Sequence, residues 1–137
     1  MDIAEFFSNR DRFAAHCGIE LLAVGVGYAK AKMEIGEHHL NGVDTVHGGA
    51  IFTLADLVFA AACNSHGTIA VAVNVSISYM KAARQGTLIA EGEEAACHPR
   101  LGSYTIRVTD DEGDLVAIFQ GMAYRKKERL EELLDAN

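Results

Sequence analysis

The chain has 137 residues, 50% hydrophobic and 23% charged, which suits one globular domain and leaves no room for a separate cofactor domain. A chain of this size buries roughly two thirds of its unfolded surface, enough for a core without disulfide or metal staples. Twelve basic and 19 acidic residues give a formal charge of −7, which argues against a nucleic-acid or anionic-membrane partner and requires any anionic ligand to be met locally.

In chain order, Asp2 followed by Glu5 reads as a capping box. Ile3, Phe6, Phe7 and Phe13 then recur at roughly helical spacing, predicting an N-terminal helix over 1–16. After Gly18 the period shortens, and 19–24 and 28–35 read as two strands joined around Gly25-Val26-Gly27. A polar loop with Asn41, Gly42 and Asp44 leads into 47–65, rich in Ala, Leu and Phe on nearly every face, which predicts a buried helix. Residues 68–79 alternate strictly, with Ile69, Val71, Val73, Val75, Ile77 and Tyr79 on a bulky side and Ala70, Ala72, Asn74, Ser76 and Ser78 on a small polar one. Further strands are expected over 87–97, 103–109 and 115–124, the last two joined by the turn Asp110-Asp111-Glu112-Gly113-Asp114 as an antiparallel hairpin. Leu130, Leu133 and Leu134 form one stripe in a charged tail, predicting a terminal helix over 126–135. Strands in runs imply an antiparallel sheet and the α+β class; a single sheet wrapped around the central helix is the hotdog architecture, one domain over 1–137.

Cys17, Cys63 and Cys97 are odd in number and widely spaced, which fits free thiols in a reducing cytoplasm. No cysteine pair has zinc-ribbon spacing and no His-Glu-x-x-His run occurs, so no metal site is expected. The N-terminus lacks a basic region followed by an apolar stretch, which speaks against a secretory signal. The most apolar run, 50–63, is too short to span a bilayer.

Asp56 does not fit its surroundings. It falls mid-helix with Phe52, Phe59 and Ala60 at adjacent-turn positions, where an ionised carboxylate is costly without partners. It reads either as a paired structural acid or as a base or nucleophile in a cleft. At the start of the same helix, His47-Gly48-Gly49 offers unpaired backbone N–H donors and close ligand approach, which suits an acyl oxygen gaining negative charge. Gly48 and Asp56 are separated by roughly 12 Å of helix axis at ~1.5 Å per residue, too far to act on one carbon. Two antiparallel central helices in a two-fold dimer would bring a Gly48 from one subunit to an Asp56 of the other.

The run Asn41-Gly42-Val43-Asp44-Thr45-Val46-His47-Gly48-Gly49-Ala50-Ile51-Phe52-Thr53-Leu54-Ala55-Asp56 resembles the signature of the hotdog-fold acyl-CoA thioesterases of the phenylacetate-degradation (PaaI-like) type, and the match in element order extends from about Gly18 to Lys126. The resemblance implies that the Gly48 N–H polarises the thioester carbonyl, that Asp56 attacks it or activates water, that Asn41 places water or substrate, and that His47 supports the loop. Leu57 and Ala60 stand where family members often carry a Thr or Ser that holds the attacking water. The resemblance also implies coenzyme A as part of the substrate, no separate cofactor, and a homodimer at least, extending to a homotetramer as a dimer of dimers. Lys81, Arg84 and Arg100 are candidate phosphate contacts, and Gly49, Asn74 and Ser76 candidate substrate contacts.

The expected activity is hydrolysis of a small aromatic or short- to medium-chain acyl-CoA. A hotdog hydratase or dehydratase using His47 and Asp56, and a non-catalytic acyl-CoA-binding domain, are the alternatives. The Gly-Gly pair and the absence of proline-rich hydratase loops, Pro99 being the only proline, weigh against the first; Asp56 weighs against the second.

Overall fold

A computed structural model of the chain describes residues 1–135; positions 136 and 137 of the expected domain lie outside them. Two short helices, α1 (Ile3–Arg10) and α2 (Arg12–His16), precede strands β1 (Ile19–Gly25) and β2 (Tyr28–Glu34). A 3-10 turn at Glu37–His39 leads to α3 (Gly48–Asn64), followed by β3 (Thr68–Tyr79), β4 (Thr87–Cys97), β5 (Leu101–Thr109), β6 (Leu115–Arg129) and α4 (Glu131–Asp135). The six strands form one antiparallel sheet in the order β1-β2-β4-β5-β6-β3, with α3 packed against it. This is the hotdog arrangement.

The core lies between α3 and the sheet. Leu54, Ala55, Val58, Ala61 and Ala62 are fully buried from the helix, facing Met33, Leu88, Tyr104, Ile106 and Phe119. Each large apolar side chain so buried contributes roughly 1.5–3 kcal/mol. Phe59 packs against Tyr104 and Phe119 with ring centroids 5.6 Å from each. Gly121 makes room for that ring, because a Cβ there would lie 2.8 Å from Phe59.

Three expectations are corrected. The helix over 1–16 is two helices, because the Asp11 side chain accepts the Ala14 N–H and caps a new one instead of continuing the first. The terminal helix expected over 126–135 begins only at Glu131: β6 continues to Arg129, because β3 offers it a partner as far as Thr68. The two faces of β3 are not continuous. Its pairing with β6 slips between Ala72 and Asn74, so that the core side passes from Ala70 to Val75 and Ile77. Val71 and Val73 face outward, 40% and 55% exposed, where unbroken alternation would have grouped them with Val75 and Ile77. No helix among the described residues is long and apolar enough to cross a membrane.

Candidate functional site

The loop before α3 is built by Asn41. Its Oδ1 accepts the N–H groups of Val43 (3.0 Å) and Thr45 (3.2 Å), and its Nδ2 donates to Thr45 Oγ1 (3.0 Å). Asn41, expected to place water or substrate, thus also shapes the loop that delivers the helix start. Asp44, the single non-glycine residue with positive φ among the described residues, at 59°, sits inside this loop.

His47 is the N-cap of α3. Its Nδ1 accepts the Gly49 N–H at 2.8 Å, and its own N–H donates to His39 O at 2.7 Å. His39 is buried and fixed at both ring nitrogens, accepting from Gly36 N–H and bonding Cys17 O at 2.6 Å, so the entry to α3 is tied to the N-terminal segment. Gly49, expected to contact substrate, gives its N–H to the cap. Gly48 is the first helical residue, and its N–H is one of the donors that helix geometry leaves without an intrahelical acceptor.

Tyr79, which the sequence offered only as a strand residue, completes this corner. Its hydroxyl donates to Gly48 O at 2.9 Å, and a Cβ on Gly48 would lie 3.1 Å from it. Burial pushes the Tyr79 hydroxyl pKa up, so it remains a donor at neutral pH. Asn41, Val46, Gly48, Ile51, Tyr79 and Ala83 line an open cleft of about 370 Å³. Asp56 is not among the residues that line it.

Asp56 lies on the incompletely covered stripe of α3, with Gly49, Thr53 and Ala60. Its carboxylate has no hydrogen-bond or ion-pair partner among the described residues. Burial, and after it the charge of Asp11 at the α1–α2 junction, hold its pKa above the ordinary 3.8. Asp11 is a second group near the carboxylate that sequence spacing did not reveal. A helical interval of eight residues, roughly 12 Å, separates Asp56 from Gly48, so within one chain the open donors and the open carboxylate serve different places.

The expected phosphate contacts fare unequally. Lys81 is clamped by the acidic turn, 2.7 Å from both Asp110 and Asp114 and 3.7 Å from Glu112, and its pKa is raised by the hydrogen bonds to Asp110 and Asp114. Three carboxylates around one ammonium make a net negative patch, the wrong sign for a phosphate. Arg100 Nη1 donates to Arg125 O at 2.9 Å and holds β6. Arg84 is exposed and has no partner among the described residues. Asn74 and Ser76 are exposed on the β3 face turned from α3, paired with Met122 and Gln120. They point away from Gly48 and Asp56 of their own chain.

A family model for the thioesterase superfamily matches residues 44–117. A putative esterase of Archaeoglobus fulgidus is 39% identical over 127 residues, spanning 92% of this chain and 82% of that protein. The acyl-coenzyme A thioesterase PaaI of Escherichia coli is 34% identical over 118 residues, 85% of this chain and 84% of that one. The solved structure of the E. coli PaaI protein from the phenylacetic acid degradation operon superposes with a TM-score of 0.89 at 32% identity, covering 92% of each chain.

Proposed function

From its place in the thioesterase superfamily, to which this chain belongs, we propose that it hydrolyses the thioester of a small aromatic or short- to medium-chain acyl-CoA to the free acid and CoA. The observation that carries the reading is a half-buried carboxylate without a hydrogen-bond or ion-pair partner among the described residues, Asp56, on the same helix as an N-terminal glycine, Gly48, that lines an open cleft. The Gly48 N–H, at the positive end of the α3 dipole, receives the thioester oxygen as it gains charge. Asp56 takes a proton from the attacking water and passes it to the departing sulfur, or itself attacks the carbonyl carbon to form an anhydride that water then hydrolyses; in either case the C–S bond breaks, CoA leaves as the thiol and the water oxygen ends in the free acid. The raised pKa of Asp56 strengthens it as a base once it is ionised.

Because the two groups are too far apart on one helix, each site draws on two chains. The unpaired edge of β3, with Val71 and Val73 exposed, supports a homodimer that pairs there, and a tetramer as two such dimers. In that assembly Asn74 and Ser76 would reach the substrate in the site of a second copy. Arg84, without a partner among the described residues, is the better phosphate contact; Lys81 and Arg100 are already engaged. No cofactor is required beyond the CoA carried by the substrate, and three free cysteines support a cytoplasmic setting.

The cap supports hydrolysis over hydration. A neutral His47 that accepts with Nδ1 carries its proton on Nε2, which makes that nitrogen a donor and not the base a hydratase would need. A thiol-release assay over a panel of aromatic and aliphatic acyl-CoAs tests the proposal. Asp56→Ala is expected to lower turnover by ~100-fold or more with unchanged circular dichroism. Near-wild-type turnover in that variant, or a change in enoyl-CoA absorbance without thiol release, would overturn it.

A further inference from the structure

Beyond the far end of α3, three donor atoms of different chemistry meet. His66, in the turn after the helix, places Nε2 at 2.7 Å from Glu94 Oε2 and 3.9 Å from Cys97 Sγ. All three atoms lie within 4.8 Å of one another, although 28 and 31 residues separate His66 from its two neighbours in sequence. A nucleophilic relay needs the thiol on one ring nitrogen and the carboxylate on the other, so that the imidazole passes a proton between them. Here both face Nε2. That convergence is how ligands surround a shared point.

We propose that His66, Glu94 and Cys97 form a divalent-metal site suited to Zn²⁺, with solvent in the fourth position. Imidazole nitrogen, carboxylate oxygen and thiolate sulfur are the three ligand types zinc takes, at ~2.0–2.1, ~2.0–2.2 and ~2.3 Å. Tetrahedral placement at those lengths sets the donor atoms roughly 3.4–3.6 Å apart, between the 2.7 and 3.9 Å measured from His66 Nε2. Changes of under an ångström would bring the two distances from His66 Nε2 to it, and the carboxylate and thiol, within 4.8 Å of each other, need only close toward the same point.

The surroundings hold the carboxylate in place. Gly27, at φ +68°, passes so close behind Glu94 that a Cβ there would fall 2.3 Å from its Oε2. The Gly27 N–H donates to Ser65 Oγ at 2.7 Å, and the Glu94 N–H donates to Gly27 O at 2.8 Å, which fixes the β1–β2 turn against both the helix end and β4. Cys97 is exposed and gives the ion a way in. On binding, Zn²⁺ displaces the thiol proton of Cys97 to solvent, and the Nε2 hydrogen that His66 donates to Glu94 in the metal-free protein moves, by exchange with solvent, to Nδ1, freeing Nε2 for the ion. The Glu94 carboxylate and the Cys97 thiolate then balance the charge of the ion. Burial, and after it the Glu94 carboxylate, push the Cys97 thiol pKa up, and the Arg125 guanidinium opposes them only in part; as a nearby cation it keeps affinity for the ion moderate. The spacing rule that argued against a metal looks only along the chain, whereas this donor set is assembled by the turn after α3 and the end of β4.

The full-length protein, stripped with a chelator, is titrated with Co²⁺ and then Zn²⁺. One Co²⁺ per chain is expected at micromolar concentration, with a near-ultraviolet thiolate-to-cobalt absorption that Zn²⁺ displaces and a Tm that rises with bound metal. Cys97→Ser, at an exposed position, is expected to fold normally and to lose the absorption and the Tm response. His66→Gln is expected to weaken uptake about tenfold or more. Absence of stoichiometric uptake, or an absorption that survives in Cys97→Ser, would overturn the proposal. Neither readout depends on esterase activity.

Discussion

From Leu57 to Asn64, α3 is buried at every position except Ala60, whereas from Gly48 to Asp56 only Ile51, Leu54 and Ala55 are. The buried half ends on Asn64, whose Nδ2 donates to Ala60 O (2.9 Å) and Ala70 O (3.2 Å) and whose Oδ1 accepts the Ala70 N–H (2.8 Å). One side chain thereby stitches the helix end to the first residues of β3. The other half begins on a single cap, the His47 imidazole, and leaves Gly48 beside a cleft and Asp56 without a hydrogen-bond or ion-pair partner among the described residues. The closed half holds the helix in one place, so that the open half can keep polar groups unpaired at fixed positions. Electrostatic stabilisation of a transition state depends on such preorganisation.

The sharpest way to break this division of labour is at Asn64. Asn64→Leu keeps the volume but strips the buried Ala70 N–H of its acceptor, at a cost of about 2–3 kcal/mol. Urea denaturation is expected to show that loss, while kcat measured on the folded fraction stays within about twofold of wild type. A parallel collapse of kcat in fully folded protein would show that the two halves are not separable.

Gly48→Ala probes the open half with a smaller effect. The new methyl group would sit 3.1 Å from the Tyr79 ring and hydroxyl, so Tyr79 must yield and its hydrogen bond to Gly48 O loosens. The expected result is about a tenfold loss in kcat/KM, close to 1.4 kcal/mol, with Tm nearly unchanged. Unaltered kinetics would remove Gly48 and Tyr79 from the site.

The elements whose pattern is local were legible in the sequence, and those decided by a partner strand were not. The central helix, expected over 47–65, runs Gly48–Asn64, and the long strand keeps its limits of 68 and 79, because continuous apolar content and strict alternation are each written in consecutive residues. The bulge near Val73 leaves no trace in that alternation; it exists because β6 pairs out of step with β3. The same pairing draws 126–129 into a strand against the helical stripe of leucines. In the site, Asp56 and the His47-Gly48-Gly49 run stood out because their chemistry clashed with a buried apolar helix. Asp11, Tyr79 and the Lys81 clamp did not, since each acts on a residue far away in the chain: 45, 31 and 29–33 positions respectively. Asn41 was legible as important, but its part in shaping the loop was not, because residue type does not reveal which hydrogen bonds its amide makes within its own loop.

The smallest effect carries the opposite sign from the first. Burial and Asp11 hold the Asp56 pKa above 3.8 in the folded chain, so the folded state binds this proton more tightly than the unfolded one. The stability contributed by the protonated carboxyl is therefore fully present below 3.8, the ordinary value, and is lost as pH rises from there through the raised folded value. Above that window the ionised carboxylate destabilises the native state. Asp56→Asn removes the charge at nearly constant shape, and its expected signature is a higher Tm than wild type at neutral pH, a difference that shrinks as the pH approaches the ordinary carboxylate range. The stabilised variant should have lost its thiol-releasing activity. A Tm at neutral pH equal to or below that of wild type would mean that the carboxylate has a compensating partner in the assembled protein, and the open half of α3 would then be closed by a second chain.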